Sequence, residues 1–463
     1  MALDVQTNWN VSMAENLERT MRRSNRHRTE PPTTLAIHNE DDTVDSTTPR
    51  GEPIHLPDEL ILHILTYTSH LPLSQRTLAS CSLLSHQWLA IATPLLYAAP
   101  TLYGHSYDPF VRAICPSINQ HIRTSPLASL VKVLDMRGLV HQGSKSTTAR
   151  VLGRVKNNLE EFCAPQASFA INCLPALSKC KRLRVLDLGL VSESPGLLEL
   201  FKTTAHLTQL HTLRLPRSSG FGVQSKATAF DAVAWPPSLR DLCLSGGIDA
   251  HFLHGIVAFP QTLRELTIEH CPNAKGHAVT HLLKTAVRGL QGLETLKVAH
   301  MPRLGMQALD GTLRVLPQLK KLSVSADYVT PALFDDFPPV GVVELEDDLE
   351  REARCEKFVH SNLRTLELTY SGASSGVEDK ITAIDIMIAI DDETVPNLRQ
   401  VRVDQALLWQ GAGSRPDVEA LTDVLYEASR RDWEAREGMF AEMGERELER
   451  EGVWRTVSGV WIF

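Results

Sequence analysis

Gly138 and Gly143 follow the strand-like run "LVKVLDM" at the spacing of a phosphate-cradling loop. Such a loop needs Lys directly after its second Gly, to reach the β- and γ-phosphates, while Ser or Thr meets magnesium. Here Ser144 intervenes and Lys145 is displaced by one, so the segment reads as a polar loop. His277 and His281 stand four apart, the spacing at which one helix face offers two imidazoles to zinc. The residue after the first His is Ala278, where a metalloprotease needs its glutamate base. On a helical wheel both imidazoles lie opposite the stripe of Val279, Leu282, Leu283, Ala286, Val287 and Leu290, so they read as a solvated face. Cys81, Cys115, Cys163, Cys173, Cys180, Cys243, Cys271 and Cys355 are scattered without a CxxC pair, the usage of free buried thiols in a reducing compartment. There is no nucleophile elbow, complete glycine cradle or zinc quartet. The chemistry expected of this chain is binding without a catalytic residue, metal or cofactor.

The elements that would position a binding surface are clearer. A formal charge of -8 argues against a general nucleic-acid binder, and 463 residues at 43% hydrophobic content have room for more than one core. No apolar run has the length of a membrane span, and the N-terminus lacks a signal-peptide core, so an intracellular protein is expected, cytoplasmic and/or nuclear. Residues 1–53 are polar, including the basic run from Arg19 to Arg28, and read as a disordered tail.

From residue 131 a phrase recurs: "VKVLDM", "LEEFCA" at 159, "LRVLDL" at 183, "LHTLRL" at 210, "LRDLCL" at 239 and "LRELTI" at 263. It continues as "LETLKV" at 293, "LKKLSV" at 319, "LRTLEL" at 363 and "LRQVRV" at 398. The first eight starts are 24 to 30 residues apart, the period of leucine-rich repeats. Alternation turns the apolar residues of each phrase inward on a short strand. Helical patterns between the phrases can bury their stripes only against neighbouring units, which predicts a curved α/β solenoid whose parallel strands line the concave side. Cys271, just after "LRELTIEH", takes the position where Asn or Cys caps the repeat turn. The solenoid is placed at 104–410, with about ten repeats and an acidic insertion near 338–360. Residues 411–463 are read as a helical cap, with Ser414 and Asp417 at capping-box spacing and Val418, Leu421, Leu425 and Ala428 on one face. The concave face commonly receives the partner in repeat proteins, and its candidate residues are Asp187, Arg214, Asp241, Glu265, Thr267, Lys297, Lys321, Glu367 and Arg402.

Ahead of the repeats, "LPDELILHILTYT" places Pro57, Asp58 and Glu59 at a helix start, with Leu60, Ile61, Ile64 and Leu65 at helical spacing. A second helical segment surrounds Leu78 to Ser85, and a third carries Trp88, Leu89, Ile91 and Ala92 up to an interruption at Pro94. Three short helices cannot bury all this apolar surface among themselves, so the unit needs a staple or a partner.

The segment Leu56–Tyr97, with "LPDELILHIL", "LASCSLLSHQW" and "LAIATPLLY", resembles an F-box, here placed at 54–100. With the repeats behind it, the chain is similar to fungal F-box proteins with ribonuclease-inhibitor-like repeats. It departs from the pattern in the longer turn "TSHLPLSQR", in Thr68, and in His86 and Gln87. The resemblance implies a three-helix F-box followed by the solenoid and cap. It also implies docking on a Skp-type adaptor, itself bound to a cullin and RING protein, with a protein substrate on the repeats and no catalysis by the chain itself. Leu56, Pro57, Leu60, Ile64, Leu78, Leu84 and Trp88 are the residues it implies for adaptor binding or F-box packing. A non-degradative repeat scaffold is the alternative reading.

Overall fold

The computed structural model describes residues 56–71, 73–117, 125–139, 143–218, 234–246, 259–285, 290–335, 361–372, 380–437 and 458–463. The polar tail at 1–53 and the acidic segment 338–360 lie outside these residues. The chain is α/β and divides into two units between Asp135 and Met136.

The first unit opens with three helices, α1 (Asp58–Ser69), α2 (Ser74–Cys81) and α3 (His86–Ala98). Among the described residues, helix α4 (Gly104–Ile114), a 3-10 turn (Pro126–Leu130) and strand β1 (Val133–Asp135) follow, so the unit boundary falls within the first of the ten phrases, just before Met136. Pro57 precedes α1 with φ -57°, and Asp58 and Glu59 face the helix's positive end. Ser85 starts α3, its Oγ accepting from the Trp88 N–H at 3.3 Å. Pro94 does not end α3, which runs on to Ala98. A proline inside a helix removes one backbone hydrogen bond, and in α3 the packed faces on either side carry the helix across it.

The second unit turns the repeated phrase into strands β2 (Glu161–Cys163), β3 (Val185–Asp187), β4 (Thr212–Arg214), β5 (Asp241–Leu244) and β6 (Glu265–Glu269). Strands β7 (Thr295–Ala299), β8 (Lys321–Ser325), β9 (Thr365–Thr369) and β10 (Gln400–Val403) follow. All are parallel and stand in sequence order. The central leucines are in register, Leu186 beside Leu213, Leu242, Leu266, Leu296, Leu322 and Leu366, and none is more than 2% exposed. Helices α5 (Lys145–Val155), α6 (Leu197–Thr204) and α7 (Gly276–Thr285) connect strands, and Ala278, Val279, Leu282 and Leu283 of α7 are buried.

The C-terminal part is not wholly helical. Helix α8 (Ala383–Asp391) packs against α9 (Arg415–Glu437), whose Leu421, Leu425 and Ala428 are buried. Gly459–Ile462 then forms β11, parallel to β10, with Val460 beside Val401 and Ile462 beside Val403. Gly459 has φ +131° and lies where a Cβ would sit 3.4 Å from the Thr422 methyl, so the strand can start there only with glycine's freedom.

A charged clamp ties the exits of β8 and β9. Asp327 is 3% exposed and accepts from the Ser371 hydroxyl at 2.5 Å and backbone N–H at 3.1 Å. The Lys380 ammonium reaches it at 3.3 Å while lying 4.6 Å from the Tyr370 ring centre. Burial alone would raise the Asp327 carboxyl, but the two Ser371 donors and Lys380 outweigh it and hold the group below its ordinary value. A depressed carboxyl contributes stability above its unfolded value and loses it as pH falls through the folded one. Asp327→Asn is therefore expected to lower stability at pH 7 by about 3 kcal/mol, by leaving Lys380 without its counter-charge. Denaturation curves of the two proteins should converge as both are taken into the acid range. A difference that stays constant with pH counts against the clamp.

Candidate functional site

Two surfaces remain once the buried residues are set aside, one in each unit. In the first unit Ile61 and Leu65 of α1, Leu78 of α2 and Ala92 of α3 form the core, none more than 1% exposed. Leu56, Cys81, Trp88, Ile91, Leu95 and Leu96 pack around them. The Gln87 amide donates to the Leu56 carbonyl at 2.9 Å and to the Asp58 carboxylate at 2.7 Å, tying the start of α3 to the start of α1. This holds α1 with one apolar stripe inward and a second, offset by one residue, outward. Leu60 is 51% exposed and Ile64 47%, while Leu83 and Leu84 beyond α2 reach 79% and 66%.

The seven residues singled out in the sequence thus separate. Pro57, Leu60, Ile64 and Leu84 are exposed. Leu78 is core, and Leu56 and Trp88 pack against it. Tyr67, Leu71, Leu73 and Leu83 are exposed too and were not singled out, because apolar spacing marks a face without saying whether it meets its own chain. Two of the departures, Thr68 and Gln87, have local explanations. The Thr68 hydroxyl donates to the Ile64 carbonyl at 2.8 Å, and Gln87 makes the tie just described.

Residues 54–103 match the family model described as F-box-like. The segment is an F-box-like domain. Across 71% of the chain there is similarity to two fungal proteins. F-box protein YDR306C of Saccharomyces cerevisiae is 32% identical over 329 residues, and Protein pof5 of Schizosaccharomyces pombe 28% identical over 331. The matched regions cover 63% of the first protein and 84% of the second, so the chain spans less than two thirds of the budding-yeast protein's length.

Beyond the F-box-like domain, the outward side chains of the sheet fall in two columns. One runs Asp187, Arg214, Cys243, Thr267, Lys297, Ser323, Glu367 and Arg402 across successive strands. The other contains Asp241, Glu265 and Lys321, two residues earlier along each strand. All eight charged candidates therefore lie on one face. Most are tied to each other or to acids and bases that the sequence did not flag. Asp187 lies 3.9 Å from Arg137 and 4.0 Å from Arg214, and Lys297 lies 3.4 Å from Glu269. Glu367 holds Lys321 at 3.3 Å and Arg402 at 3.4 Å, and it accepts from the Ser323 hydroxyl at 3.1 Å. Asp241 accepts from Thr212 at 2.8 Å, and Glu265 is exposed.

Residues of both near-miss motifs are placed in the second unit. Ser144, standing where the phosphate loop needs lysine, starts α5 by accepting from the Thr147 N–H at 3.1 Å. Lys145 is engaged by Glu193. His277 and His281 border an open depression with Thr280, Lys284, Gln307 and Ala308. Among the described residues no group of three or more His, Cys, Asp or Glu is arranged to hold a metal ion, and no helix is long and apolar enough to cross a membrane.

At the exits of β6 and β7, His270 and His300 both take the left-handed backbone, φ 53° and 52°, and their rings stack at 4.5 Å. Burial, with Arg217 and His300 nearby, lowers the His270 ring from its ordinary value and so favours its neutral form. Cys271, next in the chain, is fully buried, with Sγ 3.3 Å from the Glu269 carbonyl and 3.7 Å from that of Leu244. Burial, reinforced by Cys243 and Glu269, pushes its thiol up to about 12. Burial followed by Glu269 does the same to Cys243, and burial to Cys180 against the pull of Lys156. These thiols favour the folded state while protonated, and that contribution is lost as pH rises from the ordinary 9.0 toward about 12. Native protein treated with iodoacetamide at pH 8 should leave Cys180, Cys243 and Cys271 unmodified in a peptide map and yield them only after denaturation. Rapid native labelling at Cys271 would contradict the turn-capping role.

Proposed function

We propose that the chain is the substrate-recognition subunit of an SCF-type cullin–RING ubiquitin ligase and works inside the cell. The observation that carries this reading is the exposure of Leu60, Ile64 and Leu84 on an F-box-like domain whose core is otherwise closed. Large apolar side chains gain about 1.5–3 kcal/mol each when fully buried, so a partner groove that covers several of them supplies a substantial association energy. A Skp-type adaptor is that partner, with Pro57 at the mouth of α1. Leu56, Leu78 and Trp88 hold the three helices in the docking geometry. Through the adaptor the chain reaches the cullin and RING protein.

The outward columns of the sheet, from Asp187 to Arg402, are the surface that holds the protein substrate. Their charge pattern is fixed in place by the ion pairs among Asp187, Arg214, Lys321, Glu367 and Arg402, so the substrate meets a preset arrangement. The chain contributes no catalytic group. It raises the effective concentration of substrate near the ubiquitin carrier, and proximity accelerates the transfer.

Affinity purification of the full chain from fungal cells tests the reading. Wild type should bring down a Skp-type adaptor and a cullin. Leu60→Asp/Leu84→Asp should lose both by about tenfold or more while keeping the wild-type circular dichroism, because both residues are exposed. Leu78→Asp should instead unfold the three helices. A wild-type chain that captures no adaptor refutes the proposal. A chain that captures adaptor and substrate, with substrate lifetime unchanged in cells lacking it, points to the non-degradative scaffold.

A further inference from the structure

The second residue of each phrase lies at the rim where the strands begin, and from β3 to β6 that rim is basic, between Glu160 ahead of β2 and Glu294 ahead of β7. Four successive repeats place Arg184, His211, Arg240 and Arg264 on this rim. Their backbones are laddered, each N–H donating at 2.8 Å to the carbonyl of the previous one from His211 to Arg264. Neighbouring side chains are therefore rooted one strand spacing apart, about 4.8 Å. Glu294 then interrupts the row ahead of β7, and Lys320 and Arg364 resume it just ahead of β8 and β9. On a chain of formal charge -8 this is a segregated stripe.

Few of these cations are neutralised. Arg184 has Glu160 at 4.0 Å, and Lys320 has Glu294 at 3.1 Å. Arg264 donates to the Gly292 carbonyl at 2.8 Å. Arg240 and Arg364 are exposed and make no ion pair among the described residues. The start of the row is also concave. Glu160, Arg182, Arg184, Gln209 and His211 line a cavity of about 280 Å³. Arg182 is anchored there by the Asn158 side chain at 2.9 Å, and the His211 Nδ1 sits 3.0 Å from the Ser238 carbonyl. That contact makes Nδ1 the protonated nitrogen.

We propose that this rim binds an acidic segment of a protein partner. A carboxylate enters the Arg182–Arg184–His211 cavity, and further carboxylates run along Arg240 and Arg264. Like charges rooted this closely repel one another, and a partner of opposite charge relieves that cost. Planar guanidinium groups also match carboxylates in two-pronged pairs. The rim favours a peptide over single-stranded nucleic acid on two counts. Its phrase positions carry the His211 imidazole but no Phe, Tyr or Trp, so there is no run of rings on which successive bases would stack. Asp241 and Glu265 follow directly on Arg240 and Arg264, a barrier to a continuous polyphosphate but not to spaced carboxylates. The proposal rests on the repeats being the substrate-holding part, and it names the chemistry of what they hold.

Fluorescence anisotropy on the full chain tests it with three labelled probes: an oligoglutamate peptide, a Gly-Ser peptide of equal length and single-stranded oligouridylate. Wild type should bind oligoglutamate alone, and binding should disappear as the Debye length falls from about 10 Å at 0.1 M to about 3 Å at 1 M salt. Arg184→Ala/Arg240→Ala/Arg264→Ala should weaken it by about tenfold or more. If the triple variant melts early, Arg240→Glu serves instead, since Arg240 makes no ion pair to lose, and it should weaken binding several-fold. Equal binding of the Gly-Ser peptide, tighter binding of oligouridylate or indifference to the rim variants would overturn the proposal. The rim variants should still capture the Skp-type adaptor like wild type. A wild-type chain that binds oligoglutamate but captures no adaptor would strike the ubiquitin-ligase reading and leave the rim standing.

Discussion

No repeat in this chain can bury its own leucines, and everything else in the second unit follows from that. Leu186, Leu213, Leu242, Leu266, Leu296, Leu322 and Leu366 are shielded because each lies beside the equivalent residue of the next strand. Stability of this kind runs in one dimension, from neighbour to neighbour. It leaves no freedom in register, since a slip of one residue would turn the ladder to solvent and the charged columns inward. The same requirement explains why the last repeat needs a neighbour. Strand β11 puts Val460 beside Val401, and α9 supplies Leu421 and Leu425.

The first unit obeys the opposite rule. Its three helices enclose Ile61, Leu65, Leu78 and Ala92 and then stop, with Leu60 and Ile64 facing out one residue away from the buried stripe. An amphipathic helix with two apolar stripes commits one to its own fold and offers the other. In the repeat unit the surplus is charge, and most of it on the outward face is spent internally, in ion pairs such as Lys297–Glu269. The rim is the exception.

Much of this architecture is legible in the residues. Each of the ten phrases is a strand, because alternation and a fixed period survive even when a leucine is replaced, as by Val401. The start of α1 is marked by Pro57, Asp58 and Glu59. Four features were not legible. Pro94 reads as a helix stop, yet α3 continues, since packing on both sides of the proline outweighs one missing hydrogen bond. Strand β11 lacks the leucine phrase, and "GVWI" becomes a strand only because β10 presents an open edge to it. Leu78 and Leu84 look alike in sequence, but one is 1% and the other 66% exposed, a difference set by which helix arrives opposite. The partners of Asp187 and Lys297, namely Arg137 and Glu269, lie one residue past the ends of their phrases and come within reach only in the folded sheet.

Glu367 illustrates how such a face changes over evolutionary time. It is the shared anchor of Lys321 and Arg402, which come from strands on either side of it, and the Ser323 hydroxyl leans on the same carboxylate. A single substitution there releases two cations at once, so the neighbourhood cannot drift one residue at a time toward a new partner. Related chains that diverge in what they recognise should differ at these positions in matched sets, and intermediates with only one member altered should be rare.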